Sequence, residues 1–466
     1  MELRRFFVEG LAHASYLVAC LHQKVAAVID PQRDIQPYLD AARQLGVRIT
    51  DVFLTHLHAD FVAGHMDLVA ETGARVWVSK DAAATFPHQP LVHDQVVRVG
   101  QVAVRALATP GHSPESMCFV ATAAGGGESK VFTGDTLFIG DVGRPDLWGR
   151  ERAQELAGQL FESITGKLFC LGEGVTVAPA HGAGSLCGKN LSSEPFSTLG
   201  RERQGNCSIA GKDKAAFVRD LLDGIPEAPP QFPRNARTNQ AGPTPVRQLP
   251  APVPLEVAAV AARLRDGAWL LDVRSADDFK AGHVPGSLFL GSEASSHTWA
   301  SWLVSPDVPL ILLANDTAGV DEARRKLLRV GFDRVVGFVQ GGMAAWSAAG
   351  QPVARLRDVQ PRDYQALRQG SNAPPLIDVR QPGEWRAGHA PGARNLPLGT
   401  LPRHVATLRA EGPLAVMCQG GYRSVIGCSV LLRGGKADLV NIPGGFRGWS
   451  QAGLAVERHD EPKVTP

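Results

Sequence analysis

Val52-Phe53-Leu54-Thr55-His56-Leu57-His58-Ala59-Asp60 decides how the first half of this chain is read. The apolar run at 52–54 reads as a strand, and it delivers two histidines at i and i+2 with a carboxylate two residues on. Side chains of these types leaving one strand end can converge on a single ion. The pattern returns three times. Thr109-Pro110-Gly111-His112-Ser113, Thr133-Gly134-Asp135-Thr136 and Pro179-Ala180-His181-Gly182 each set a metal-ligating residue type just after an apolar run. Strand-end loops tipped with His or Asp are how a layered α/β domain assembles a metal site.

Working outward, short β-like runs at 26–29, 76–78, 102–106, 131–133 and 175–178 alternate with helical stretches, one of them at 35–45 and closed by Gly46. Ser15-Tyr16-Leu17-Val18 and Val25-Ala26-Ala27-Val28-Ile29 predict the two strands of a hairpin. Such alternation predicts α/β layers over 1–224. Proline density then rises sharply, and 225–254 reads as an extended connector that is neither helix nor central strand. Beyond it Leu270-Leu271-Asp272-Val273-Arg274 returns about 106 residues later as Leu376-Ile377-Asp378-Val379-Arg380, and Gly282-His283 as Gly388-His389. That period is too long for a solenoid unit. It predicts two tandem copies of one small α/β domain, 255–355 and 356–466.

Composition narrows the function classes. A chain of 466 residues suggests three domains at about 150 each. Lys+Arg 48 against Asp+Glu 46 leaves a charge of +2, too weak a field to argue for nucleic acid. No apolar run reaches the ~18 residues of a membrane span. The seven cysteines are scattered and never form a CxxC pair, which excludes a disulfide framework and predicts a reducing, cytoplasmic setting. Leu17-Val18-Ala19-Cys20 behind Arg4-Arg5 has the look of a lipoprotein box, but Glu9 and His13 break the apolar stretch it would need.

In the last domain Leu414-Ala415-Val416-Met417 reads as a strand delivering Cys418 into Gln419, Gly420, Gly421, Tyr422, Arg423 and Ser424, with a helix over 425–432. Backbone N–H groups of such a loop and the helix start form an anion cradle, which favours a thiolate and then a persulfide on Cys418. Together with Asp378-Val379-Arg380, Gly388-His389-Ala390-Pro391-Gly392 and Gly444-Gly445 to Trp449, the loop resembles a rhodanese sulfurtransferase across 360–455, with Cys418 and Arg423 as its catalytic pair. The middle copy sets Ala314 opposite Cys418, lacks the arginine and gains Asp316. It reads as an inactive spacer or docking surface.

Thr55 to Asp60 with His112, Asp135 and His181 resembles the metallo-β-lactamase fold and its glyoxalase II branch, which implies an αββα sandwich followed by the two rhodanese-like α/β domains. Dinuclear members continue the motif as Asp-His, whereas this chain has Asp60-Phe61, and phenylalanine cannot ligate. Two histidines and one carboxylate survive, the set that non-haem Fe(II) oxygenases use. Phe138-Ile139-Gly140-Asp141-Val142-Gly143-Arg144-Pro145-Asp146 and Thr198-Leu199-Gly200-Arg201-Glu202 are similar to the persulfide dioxygenases.

That resemblance implies one Fe(2+) per chain on His56, His112 and Asp135. His58, Asp60 and His181 would stand behind it, and Arg144 beside the carboxylates of glutathione. It implies oxidation of a thiol persulfide, of glutathione or coenzyme A type, by O2 to sulfite and thiol. A rhodanese step forming or consuming thiosulfate would follow, within hydrogen sulfide oxidation. A homo-oligomer, dimer or tetramer, is expected on the same ground. Cys207 is either a persulfide carrier near the iron or a plain loop cysteine, and Cys20 is a weaker candidate for the same pocket. The rival readings are a glyoxalase II-like thioester hydrolase with two metals, and a sulfide-sensing scaffold.

Overall fold

The computed structural model describes residues 1–225, 227–370, 373–408 and 412–458; Pro226 of the expected connector and the chain end beyond 458 lie outside them. Two compact units emerge, one of Met1–Leu249 with Leu328–Gly331 and one of the remainder. In the first, strands β1 (Glu2–Val8), β2 (His13–Cys20), β3 (Val25–Ile29), β4 (Arg48–Phe53), β5 (Arg75–Ser79) and β6 (Gln89–Leu91) form a sheet in sequence order. A second sheet holds β7 (Val96–Val99), β8 (Val102–Ala108), β9 (Met117–Thr122), β10 (Ser129–Gly134), β11 (Thr176–Pro179) and β12 (Ser197–Thr198), also in order.

Strand β2 shows why the layers stack. All eight of its residues are buried, which requires cover on both faces. Ala14, Tyr16, Val18 and Cys20 pack with Val104, Phe119 and Phe132 of the facing sheet. The alternate residues Leu17 and Ala19 pack under Tyr38 and Ala42 of helix Gln36–Leu45. The outer face of the second sheet is covered by Leu160 of helix Arg150–Ser163 and Phe217 of helix Lys214–Leu222. The result is the expected αββα sandwich. The predicted hairpin is β2 and β3, paired antiparallel from Tyr16↔Ile29 to Cys20↔Val25. Gly46, at φ +64°, ends the helix expected over 35–45.

One edge of the sandwich is sewn shut by backbone bonds between loops. Met117 N donates to Thr55 O at 2.8 Å, Ala180 N to Gly134 O at 3.0 Å and Gly182 N to Ala12 O at 2.9 Å. Gly134 sits at φ +52°, and a Cβ there would lie 2.5 Å from Thr55 Oγ1, so only glycine lets the end of β10 meet the end of β4. The four strand-end loops read from the sequence all open on this edge.

The expected connector requires correction. Residues Phe232–Ala241 are an α-helix, and the first unit runs to Leu249. The reading failed because proline is excluded only from a helix interior; Pro233 stands in the first turn, where its missing N–H is no loss.

In the second unit two five-stranded parallel sheets repeat one topology. The first is ordered β13 (Val253–Leu255), β17 (Val335–Val339), β16 (Leu310–Leu313), β14 (Trp269–Asp272), β15 (Leu288–Phe289). The second is ordered β18 (Arg357–Asp358), β22 (Leu439–Asn441), β21 (Leu414–Met417), β19 (Leu376–Asp378), β20 (Arg394–Asn395). Pro254 is tolerated in β13 because that strand is at an edge. Val379 N donates to Met417 O in one copy as Val273 N does to Leu313 O in the other, which places Ala314 where Cys418 stands.

Candidate functional site

The donor atoms of His56, His112 and Asp135 lie within 4.8 Å of one another, and all three residues are buried. Tautomers follow from their partners. Thr55 Oγ1 donates to Asp30 Oδ2 at 2.8 Å, so towards His56 Nδ1, at 3.0 Å, it can only accept. His112 Nδ1 donates to the Arg144 carbonyl at 2.8 Å. Both rings therefore turn a lone pair on Nε2 towards Asp135 Oδ2, at 3.9 and 3.7 Å. That carboxylate oxygen is buried and accepts no hydrogen bond. Two neutral imidazole nitrogens and an orphaned carboxylate oxygen facing one point fit a divalent cation. Burial first, then the neighbouring histidines His58 and His112, holds His56 well below its ordinary pKa, which keeps it a ligand.

His181 donates from Nδ1 to Asp135 Oδ1 at 2.7 Å and from Nε2 to Asp60 Oδ2 at 2.8 Å. Burial alone would strip its proton, but the two carboxylates prevail and raise its pKa well above 6.5. His181 is thus an imidazolium clasped between Asp60 and Asp135. The donor atoms of His58, Asp60 and His181 also lie within 4.8 Å of one another. Phe61, fully buried, packs against His58 at 4.4 Å and against His13 at 4.0 Å between ring centroids.

Three contributors escaped the sequence reading. Asn239, from the expected connector, donates Nδ2 to His58 O at 2.7 Å and to Phe61 O at 2.8 Å, and accepts from Ala63 N at 2.9 Å. His13 is buried beside His58 and His181 with neither ring nitrogen hydrogen-bonded. Cys187 is buried within 4.8 Å of Asp135 and His181; burial, then the charges of Asp135 and Asp60, pushes its thiol well above the usual range. A cavity of about 420 Å³ opens on His56 and His112 and is walled by Trp148, Pro229, Phe232 and Arg237. Half of that wall comes from the former connector, a signal that local composition could not carry.

In the last domain Cys418 Sγ is 1% exposed. It accepts from Gly421 N at 3.1 Å and donates to Ser424 Oγ at 3.6 Å. The Gly444-Gly445 turn underlies the loop: Phe446 N donates to Cys418 O at 2.7 Å, and a Cβ on Gly445 would come within 2.2 Å of that oxygen. Arg380 is buried on Asp378 and donates Nη1 to Gln419 Oε1 at 3.1 Å, holding the loop's first side chain. Arg423 is paired. Its guanidinium forms a bidentate pair with Glu384, 2.7 Å on each arm. In the middle copy Gly319 N donates to Asp316 Oδ1 at 2.8 Å, so the position of the cradle is already taken by an internal carboxylate.

Comparison with known proteins bears on both domain types. The metallo-beta-lactamase superfamily model matches residues 8–172. A crystal structure of a metallo-beta-lactamase from Staphylococcus aureus subsp. aureus COL is 30% identical at TM-score 0.65, covering 73% of this chain and 98% of its own. The chain belongs to the metallo-beta-lactamase superfamily. It also carries two rhodanese-like domains, matched at 256–349 and 361–452. Hydroxyacylglutathione hydrolase of Rhodospirillum rubrum is 32% identical over 151 residues, 32% of this chain, which spans about half of that relative's length (54%). The uncharacterized protein YqhL of Bacillus subtilis is 36% identical over 85 residues, 18% of this chain and 68% of its own.

Three further candidates of the metallo-beta-lactamase domain stand as follows. Arg144 is 5% exposed and grips Asp146, Nε to Oδ1 at 2.7 Å and Nη2 to Oδ2 at 2.8 Å, so its fork is not offered to a substrate carboxylate. Its carbonyl instead fixes the His112 ring. Cys207 is exposed, donates to Gly140 O at 3.0 Å and does not line the cavity. Cys20 ends β2, whose other end is His13; eight residues of strand put it roughly 23 Å away at about 3.3 Å per residue. Among the described residues no helix is long and apolar enough to cross a membrane.

Proposed function

We propose that the metallo-beta-lactamase domain is a mononuclear persulfide dioxygenase and the last rhodanese-like domain its sulfurtransferase. The observation that carries the first half is the orphaned Asp135 Oδ2 facing two Nε2 lone pairs, with Phe61, a side chain that cannot ligate, packed against His58. A single Fe(II) held by His56, His112 and Asp135 supplies the redox and O2 chemistry that zinc lacks. The reaction is R–S–SH + O2 + H2O → R–SH + sulfite + 2 H⁺, with R a small thiol carrier such as glutathione or coenzyme A.

The protein's own part is positioning. The cavity above His56 and His112 admits the persulfide end along a proline and aromatic wall. His181, protonated between Asp60 and Asp135, keeps the Asp135 carboxylate ionised and correctly turned. At the second site a Cys418 persulfide passes its outer sulfur to sulfite: Cys–S–S⁻ + SO3²⁻ → Cys–S⁻ + S2O3²⁻. Gly421 N–H stabilises the thiolate that leaves. The reverse step charges Cys418 from thiosulfate.

Metal analysis joined to two assays tests this. One iron per chain with O2-dependent consumption of glutathione persulfide is the expected result. A thioester hydrolase is the second reading, favoured by the His58, Asp60 and His181 cluster and by the likeness to hydroxyacylglutathione hydrolase. Two zinc ions per chain with turnover of S-lactoylglutathione would establish that reading instead.

A further inference from the structure

The middle rhodanese-like domain has no cysteine to charge, yet it is bonded to the helix that carries the active loop of the last one. That helix is Tyr422–Arg433, and it packs on β15 of the middle domain. Tyr422 Oη donates to Leu290 O at 2.6 Å. The Phe289 ring meets the Tyr422 ring edge-on at 6.2 Å between centroids, and Phe289 N donates to Ser429 Oγ at 3.0 Å. At the far end Arg433 donates Nη1 to Gly286 O at 2.7 Å and lies 3.7 Å over the Trp269 ring. Contacts therefore run along the helix from its first residue to its last.

Position along the helix distinguishes these contacts. Ser429 and Arg433 are remote from the loop, whereas Tyr422 is the first helical residue and directly follows Gly421, whose N–H points at Cys418 Sγ. Gly421 has φ +107°, a conformation with little intrinsic restraint in glycine. The direction of that N–H must be set by what holds its neighbours. On one side Arg380 holds Gln419, and on the other the middle domain holds Tyr422.

We propose that Tyr422 is a positioning residue through which the inactive middle domain sets the Cys418 loop, so that Leu290 of one copy fixes the Gly421 N–H on the sulfur of the other. The middle copy is then a template for the active site, which accounts for its intact fold despite a lost nucleophile. The proposal rests on the sulfur-transfer reading of Cys418, but thiol ionisation can be read without turnover.

The test uses the full chain. Tyr422→Phe keeps the ring against Phe289 and removes only the hydroxyl. The pH midpoint for alkylation of Cys418 by iodoacetamide, followed on its own peptide, should rise by about one unit. Thiosulfate:cyanide sulfur transfer should fall about tenfold in kcat with KM for thiosulfate little changed. Ser429→Ala, which removes an equally central bond between the domains, should lower Tm without moving the alkylation midpoint. An unmoved midpoint in Tyr422→Phe, with or without a lower Tm, would overturn the proposal and leave the contact as domain glue. A second measurement needs no variant: the Gly421 amide should exchange as slowly as those of the helix centre, and fast exchange would also overturn it. A chain whose midpoint responds to Tyr422→Phe but which shows no sulfur transfer would refute only the proposed activity.

Discussion

Asn239 Nδ2 donates to the His58 carbonyl at 2.7 Å across 181 residues of sequence. With its bonds to Phe61 and Ala63, one amide fixes the backbone that presents His56 and Asp60. Asn239→Ala would strand three backbone groups in a buried loop, at a cost of about 2–4 kcal/mol. Metal affinity should fall by roughly 10–100-fold, the usual effect of losing a group that orients ligands. Competition with a chelator and thermal melts measure both. Unchanged metal affinity would mean the loop holds its shape without the clamp.

Metal removal should separate the two chemistries. Chelated protein is expected to lose persulfide-dependent O2 uptake and recover it with Fe(II) but not with Zn(II). Thiosulfate:cyanide sulfur transfer should survive chelation intact, because the Cys418 sulfur is met by the Gly421 N–H and not by a metal-ligand cluster. Cys418→Ser should show the converse. Full O2 uptake with zinc alone would contradict the iron assignment.

Phe61→His offers a ligand type next to Asp60 and His181. Bound metal should rise from one towards two per chain, at about 1–3 kcal/mol of lost packing against His13 and His58. Metal analysis after dialysis reads the ratio. A ratio that stays at one would show that Phe61 is not what limits the site.

Arg237 is exposed on the cavity wall and has no ion pair or hydrogen bond among the described residues, whereas the guanidinium of Arg144 is occupied by Asp146. It is the one Arg or Lys among the described residues lining that cavity. Arg237→Ala should raise KM for glutathione persulfide several-fold and leave KM for the persulfide of an uncharged thiol unchanged. Equal rises for both would assign Arg237 a structural role.

Glu384 supplies a pH dependence. Burial opposes its ionisation, but its bonds to Arg423 prevail and hold its pKa below the ordinary value. A carboxyl depressed on folding contributes stability that is complete above the unfolded pKa of about 4.3 and is lost as pH falls through the folded value. Melting of the wild type should therefore decline steeply below about pH 4.3, and Glu384→Gln should flatten that decline. Identical slopes would show that the pair contributes nothing.

Much of this molecule was legible in its residue order. Short apolar runs identified the strands around each site, and a repeat longer than a solenoid unit identified two copies of one domain. Local chemistry was legible for the same reason: His56, His112, Asp135 and His181 each follow a strand, and strand ends in a sandwich share an edge. Cys418 and its loop are consecutive, so the residue order alone shows that a loop N–H, that of Gly421, can reach the sulfur. Tertiary structure decided what depends on distant partners. It turned Arg144 onto Asp146 and Arg423 onto Glu384, because a buried guanidinium is stable only when paired, and which carboxylate lies within reach is a matter of packing. It brought Asn239 to His58 and Tyr422 to Leu290 across 181 and 132 residues. No spacing rule encodes such pairs; they exist only once two separate elements have buried their apolar faces together.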